Sequence, residues 1–286
     1  MFGFQRVGDF VWAAADMRTK GFLLGGTAGR TTLAGEGLQH QDGHSHLMAS
    51  AIPNLKAYDP AFAYEIAVII HDGLMRMYEK QEDLFYYITL ENENYLQPSM
   101  PDNVEEGIIK GMYILKPGKN GKLKVQLLAS GSMVNEAIEA SKLLKSDWNI
   151  DSDIWSVTSF SELHREAEDK KRWNTLHPDS ANKQSYLQTC LNPKNGPVIA
   201  VSDYVKLVAE QIAPYIDCSF VALGTDGFGR SETRKELRTF FEVNRYYIVL
   251  AAIESLKNLG LVENSDVKKV ISIYNLDPEK PNPIKV

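Results

Sequence analysis

The sequence has few of the features that mark secreted, membrane-spanning or nucleic-acid-binding proteins. Its only two cysteines, Cys190 and Cys218, stand in no CxxC spacing and predict free thiols in a reducing compartment. The longest apolar run, residues 66–70, is far shorter than the roughly 20 residues that span a bilayer. The first residues show no basic segment followed by an apolar stretch, so no secretory signal is expected. With 37 acidic against 31 basic residues, a general nucleic-acid binder is disfavoured, and we expect a soluble, cytoplasmic protein.

The densest group of proton-transferring side chains is the stretch GEGLQHQDGHSH at residues 35–46. A zinc site at His40, His44 and His46 is disfavoured, because no HExxH helix and no cysteine ligand accompanies them. A hydrolase triad is disfavoured as well, since Ser45 is not part of a G-x-S-x-G turn. The histidines could simply satisfy each other and the backbone in a tight polar loop. However, loops that follow strands in α/β proteins are where ligands usually bind, which favours a functional loop.

Apolar periodicity predicts an α/β fold of two domains, with mainly parallel sheets flanked by helices. The proposed boundary near residue 100 separates domain 1–100 from domain 101–286, and a linker-like run follows at 116–122. Asp59 is the expected cap of a helix that opens with Pro60, and Asp42 could cap the helix after the histidines. The predicted helices are 4–19, 59–78, 103–115, 133–146, 161–172, 204–213, 231–242, 245–259 and 265–274. The predicted strands are 22–24, 83–90, 124–130, 153–157, 197–201 and 220–224.

Eight segments spread over the whole chain resemble the homodimeric bacterial pyruvate dehydrogenases, which belong to the transketolase-like enzymes. They are FGFQRVGD (2–9), GFLLGGTAGRTTL (21–33), GEGLQHQDGHSH (35–46), YDPAFAYE (58–65), ITLENENY (88–95), SVTSFSEL (156–163), RWNTLHP (172–178) and GTDGFGRS (224–231). The resemblance implies that residues 1–100 are the later part of a thiamine-pyrimidine-binding domain. It also implies that residues 101–286 are a transketolase-like C-terminal domain.

The same resemblance implies an activity and its partners. Members of the family decarboxylate pyruvate with thiamine diphosphate and Mg²⁺ and reductively acetylate the lipoyl domain of dihydrolipoyl acetyltransferase. They are homodimers about three times longer than this chain, so a missing N-terminal part of the same enzyme is expected to carry the diphosphate and metal ligands. The turn Thr225-Asp226-Gly227 has threonine where the family's metal-binding motif has glycine, and we interpret it as structural. The isolated chain is therefore expected to be inactive.

Three residues match the family's active site. His40 corresponds to a histidine expected to hydrogen-bond the substrate-derived oxygen and assist proton transfer. Glu36 matches a nearby carboxylate that would set the polarity and protonation of the pocket, including His40. Phe2 matches an aromatic that packs against the aminopyrimidine ring, with ordinary core packing as its alternative. His44 and His46 are expected to order the loop.

Two points stay open from the sequence. Gly25, Gly26 and Gly29 could cradle a phosphate, but close backbone approach or positive φ explains them equally well. The chain could also be a dimerisation or assembly module without catalytic function, since truncation would leave an apolar surface that favours self-association. The histidine loop separates the two functions, because dimerisation alone does not require Glu36 and His40. The preference for pyruvate over a longer 2-oxo acid rests on the resemblance.

Overall fold

The computed structural model describes residues 4–36, 39–119, 121–192 and 196–286, which form two sheets covered by helices. The helices are α1 Phe4–Asp16, α2 Ser45–Ser50, α3 Ala63–Leu74, α4 Glu105–Lys110, α5 Met133–Trp148, α6 Phe160–Leu176, α7 Tyr186–Leu191, α8 Leu207–Glu210, α9 Arg234–Phe240, α10 Arg245–Asn258 and α11 Asn264–Ile273. The strands are β1 Phe22–Gly25, β2 Leu55–Tyr58, β3 Phe85–Thr89, β4 Tyr113–Lys116, β5 Lys124–Ala129, β6 Asp151–Ser156, β7 Val198–Val201 and β8 Phe220–Leu223. A π-helical turn at Met75–Glu79 extends α3, and 3-10 turns lie at Ala213–Tyr215 and Pro283–Lys285.

The first sheet has the order β1-β3-β2, and both neighbours run parallel to β3. All five residues of β3 are buried, as expected for the aromatic and β-branched sequence FYYIT in the centre of a sheet. The strand β1 lies at one edge, and β2 lies at the other edge beside the second sheet. The histidine-rich loop belongs to the connection from β1 to β2.

The second sheet has the order β4-β6-β5-β7-β8. It is parallel except for β4, which pairs with β6 in the antiparallel direction. One apolar cluster includes residues of α5 and α10, and another includes residues of α6 and α7, so both faces of the sheet are covered. The predicted α/β class with mainly parallel sheets is confirmed. Within the described residues, no helix combines the length and apolar character needed to cross a membrane.

Several element boundaries predicted from the sequence are wrong. The helix expected over 103–115 ends at Lys110, because Gly111 takes a left-handed φ of 109° and the chain continues as β4. A Cβ at Gly111 would lie 2.5 Å from the carbonyl oxygen of Ser159, so only glycine fits this turn. The helix expected over 204–213 is reduced to α8 and a 3-10 turn that contains Pro214. The short elements β2 and α7 were not predicted.

The predicted helix cap at Asp59 is also wrong. The helix α3 begins only at Ala63, and the carboxylate of Glu65 accepts hydrogen bonds from the N–H groups of Ala61 (2.5 Å) and Phe62 (3.0 Å). The Asp59 carboxylate instead accepts a bond of 2.7 Å from the Thr89 hydroxyl at the end of β3. Glu65 therefore satisfies the donors at the helix start, which leaves the side chain of Asp59 for the ends of the strands.

Candidate active site

The histidine-rich loop is held against a distant segment, residues 230–232. The side-chain amide of Gln41 donates to the carbonyl of Arg230 at 2.6 Å and accepts from its N–H at 2.8 Å. The N–H of Gly35 donates to the carbonyl of Glu232 at 3.0 Å, and the Ser231 hydroxyl donates to the carbonyl of Gly35 at 3.1 Å. Residues 230–232 thus hold the loop in place on both sides of Glu36 and His40.

Glu36 and His40, which the sequence analysis singled out, are brought into direct contact. The Nδ1 atom of His40 lies 2.5 Å from Oε2 of Glu36, and the two side chains are 34% and 47% exposed. A carboxylate that accepts the proton of Nδ1 fixes the tautomer in which Nε2 is the proton-accepting nitrogen, and it stabilises the imidazolium when Nε2 is protonated. The pair can therefore take up and release a proton at a surface that a bound molecule can reach.

Asp42 and His44 shape the end of the loop. The Asp42 carboxylate accepts hydrogen bonds from the N–H groups of His44 (3.1 Å) and Ser45 (3.0 Å), at the point where α2 begins. Asp42 thus accepts from the first N–H groups at the start of α2, although the residue at the N-cap position is His44. Burial lowers the pKa of His44, with Asp42 acting in the opposite direction, so the neutral imidazole is favoured.

His46 is buried on α2 behind the exposed pair. Its Nε2 donates to the Thr89 hydroxyl at 3.2 Å. That hydroxyl in turn donates a hydrogen bond to the Asp59 carboxylate. The ring packs edge-on against Tyr204 at a centroid distance of 4.7 Å. Burial lowers the pKa of His46. These contacts join the histidine loop to the ends of β3 and β7, as expected for a residue that orders the loop.

A cavity of about 410 Å³ opens beside the loop at the free edge of β1. Its lining is mostly apolar side chains and glycine backbone, with one carboxylate: Phe4, Val7, Val11, Leu23, Leu24, Gly25, Gly26, Thr27, Asp42 and Tyr87. An apolar cleft of this size with a single acidic group suits a small aromatic ring. Phe2, the predicted aromatic contact, lies outside the described residues.

The structure accounts for Gly29 and the TDG turn without a phosphate. Gly29 has a φ of 69°, and a Cβ there would lie 2.1 Å from a carboxylate oxygen of Asp203. The Thr225 hydroxyl donates to the carbonyl of Asp203 at 2.8 Å, and Asp226 accepts from the N–H of Lys206 at 3.1 Å. Gly227 takes a φ of 97°. Close backbone approach and turn geometry therefore explain these residues.

Sequence reasoning did not single out the polar residues beneath the loop. Thr89 ends β3, and Asp203 follows β7. Arg30 is buried beneath the loop, and its Nη1 donates to the carbonyl of Thr225. The N–H of Thr31 donates to Asp203 at 3.0 Å, and burial raises the pKa of Asp203 to about 7. Their positions in the sequence could have indicated them, because polar residues just after buried parallel strands gather at one edge of a sheet.

Metal ligands form no cluster in this part of the molecule. Across residues 4–36, 39–119, 121–192 and 196–286, no group of three or more His, Cys, Asp or Glu side chains could hold a metal ion. The donor set around the histidine loop fits a protonatable pocket with an apolar wall, and it does not fit a hard divalent cation.

Two family models match the chain in succession. The pyruvate dehydrogenase E1 component middle domain matches residues 1–98, and the transketolase-like C-terminal domain matches residues 111–244. Among solved structures, a transketolase from Campylobacter jejuni superposes with a TM-score of 0.63 at 18% identity, covering 87% of this chain and 34% of that one. At this level of identity the superposition supports the fold alone.

Curated relatives match along the whole chain. The pyruvate dehydrogenase E1 component of Pseudomonas aeruginosa is 57% identical over 99% of this chain, and that of Cupriavidus necator is 55% identical over 100% of it. In both cases the chain spans 32% of the relative's length. These matches and the two successive domain models confirm the resemblance seen in the sequence. Over its whole length the chain is therefore similar to pyruvate dehydrogenase E1 components, and it corresponds to a C-terminal part of them.

Proposed function

We propose that the chain supplies the proton-transferring wall of the active site in an enzyme that decarboxylates pyruvate with thiamine diphosphate and Mg²⁺. The product two-carbon unit would pass to the lipoyl domain of a dihydrolipoyl acetyltransferase. The observation that carries this proposal is the contact between Glu36 and His40, on a loop that also supplies Asp42 to an apolar cavity. The names of the relatives, all pyruvate dehydrogenase E1 components, support the choice of reaction.

In this proposal His40 is the group that binds the substrate-derived oxygen and moves protons. Glu36 orients the imidazole through Nδ1, so that Nε2 takes up a proton or returns it to the substrate oxygen. The carboxylate also stabilises the imidazolium form while the proton is held. Gln41 keeps both residues in place, because it ties the loop to the backbone of Arg230. Thiamine diphosphate, when bound, supplies the carbanion chemistry that removes carbon dioxide.

The cavity beside β1 would receive the aminopyrimidine ring, with Phe2 packed on it as the resemblance implies. The apolar side chains Val7, Val11 and Leu23 would exclude water from that ring. The diphosphate and Mg²⁺ would be bound by the N-terminal part of the same enzyme, since the described residues contain no cluster of metal ligands.

We further propose the division into a pyrimidine-binding part at 1–100 and a transketolase-like C-terminal domain at 101–286, in a homodimer located in the cytoplasm. The successive matches at 1–98 and 111–244 support the division. Within the described residues, Cys190 and Cys218 form no disulfide, as a reducing compartment would require.

The test uses the complete enzyme, with this chain as its C-terminal part. His40→Ala should lower kcat with pyruvate by about 100-fold or more, the scale of a lost general acid or base. Glu36→Gln should lower kcat less, because the imidazole loses the carboxylate that orients Nδ1 but keeps the nitrogen that faces the substrate. His177→Ala is the matched control, since His177 is exposed at the end of α6. Unchanged turnover in His40→Ala would show that the loop histidine is structural.

A further inference from the structure

Two buried carboxylates lie side by side where the two sheets meet. Asp59 follows β2, Glu91 follows β3, and both face Gly131, which follows β5 of the second sheet. A Cβ at Gly131 would lie 2.4 Å from Oε1 of Glu91 and 2.9 Å from Oδ2 of Asp59. The two acidic groups therefore occupy the same small space in front of one glycine.

The hydrogen bonds of this pair are incomplete. Asp59 Oδ1 accepts from the Thr89 hydroxyl at 2.7 Å, and Glu91 Oε1 accepts from the N–H of Ser132 at 3.1 Å. The second oxygen of each carboxylate, Oδ2 of Asp59 and Oε2 of Glu91, is buried without a hydrogen-bond partner. In the part of the chain that the structure describes, no Lys, Arg or His side chain forms a salt bridge with either group.

We propose that Glu91 is protonated and donates a hydrogen bond to Asp59, and that this shared proton stabilises the contact between the two sheets. A hydrogen bond between the two groups would satisfy both of the oxygens that lack a partner. It also removes one of two like charges, which cost most when they are close together and buried. The chain's own backbone completes the contact, because the N–H of Gly131 donates to the carbonyl of Asp59 at 3.1 Å and the N–H of Ser132 reaches Glu91.

The surrounding charges favour the protonated pair. Burial raises the pKa of Glu91 well above its ordinary value, and the nearby Asp59, Asp203 and Glu93 raise it further. Arg238, whose charge acts on the neighbouring Asp203, is bound by Glu93 and lies 3.5 Å from Glu136. The remaining titratable groups that face the pair are the neutral ring of His46 and the hydroxyls of Tyr95 and Tyr204.

The shared proton makes the stability of the contact between the two sheets depend on pH. An unfolded glutamate, whose ordinary pKa is 4.5, loses its proton as the pH rises past that value. Glu91 in the folded chain keeps its proton to a higher pH. The contribution of the pair to stability is therefore complete at low pH and is lost as the pH rises through the folded pKa. This device is separate from the reaction at His40, and the failure of one proposal leaves the other standing.

The direct test is infrared spectroscopy of the 286-residue chain at neutral pH, in H₂O and D₂O. The unmodified chain should show the carbonyl stretch of a protonated carboxylic acid, shifted by deuterium. Glu91→Gln should lose the Glu91 contribution to this band and stay folded, because its amide N–H can donate to Asp59 while its oxygen still accepts from Ser132. Absence of the band from the unmodified chain at neutral pH would overturn the proposal without any variant.

Asp203→Asn is the matched control, because Asp203 is buried beside the pair and has a pKa of about 7. Because Asp203 can itself carry a proton at neutral pH, a band should survive in Asp203→Asn and should vanish when Glu91→Gln is added to that variant. Loss of the band in Asp203→Asn alone would place the proton on Asp203 and overturn the assignment to Glu91. A second arm compares KCl with tetramethylammonium chloride. A band that disappears only with K⁺ would show a cation in place of the proton, which also contradicts the proposal.

Discussion

At the scale of single residues, Glu65 is a buried carboxyl group that accepts hydrogen bonds from four donors. It is fully buried and accepts two backbone N–H groups at the start of α3 as well as the hydroxyls of Tyr113 and Ser156, each at 2.6 Å. Glu65→Ala should leave these donors unsatisfied and lower the free energy of unfolding by at least about 3 kcal/mol. Urea denaturation measures this loss. Glu105→Ala, at an exposed site on α4, should leave the midpoint nearly unchanged, and an equal loss in both variants would contradict the prediction.

His46 should make the chain less stable in mild acid. Burial lowers its pKa below the ordinary 6.5, so the unfolded chain binds a proton before the folded chain does. The free energy of unfolding should therefore fall as the pH decreases below 6.5. His46→Gln keeps a donor for Thr89 but does not titrate, and it should reduce this loss in denaturation curves measured at successive pH values. His177→Gln, on the exposed side of α6, should keep the acid dependence of the unmodified chain.

At the scale of elements, the sequence predicted long helices and buried strands well and failed at short or interrupted ones. The helix α5 and the strand β5 carry clear apolar periodicity and lie where they were expected. The strand β2, LKAY, was missed because it lacks the continuous apolar run that marks the equally short β7, VIAV. The helix expected over 103–115 combined two elements, because an apolar run does not reveal that Gly111 turns the chain into β4.

The outer face of α1 and β1 should cause self-association of the isolated chain. Phe10 on α1 is 76% exposed, Met17 just after α1 is 72% exposed, and Leu24 on the edge strand β1 is 57% exposed. Sedimentation velocity over a range of concentrations should show reversible association that Phe10→Lys with Leu24→Lys abolishes. Leu176→Lys, at a 58% exposed site at the end of α6, is the control and should still associate. A monomer at all concentrations would contradict this prediction and count against an assembly role.

At the scale of the whole molecule, the sequence located the candidate pair Glu36 and His40 but not the residues that support their loop. Glu36 and His40 stand four residues apart in one loop, so a motif could identify both. Thr89, Asp203 and Arg30 come from three other segments, and only the folding of the two sheets against each other brings them beneath that loop. A single sequence shows such residues as ordinary polar positions at strand ends, because their partners lie far away along the chain.

The same dependence on distant partners predicts that one arginine couples the stability of the two sheets. Arg165 on α6 donates to the carbonyls of Ser50 (3.0 Å), Ile52 (2.6 Å) and Leu55 (2.6 Å), which lead into β2. Arg165→Met keeps much of the apolar contact of the side chain but removes these bonds, and it should cost about 2 kcal/mol.

The loss should be concentrated in the first sheet, because that sheet has only three strands and one of its edges faces the second sheet. Hydrogen exchange followed by mass spectrometry should show faster exchange in β2 and β3, with β5 and β6 nearly unchanged. Arg172→Met, at an exposed position on the same helix, should leave both sheets as they are. Equal acceleration in the two sheets would mean that they unfold as one cooperative unit even without the arginine, and that the shared proton and the remaining contacts between the sheets hold them together.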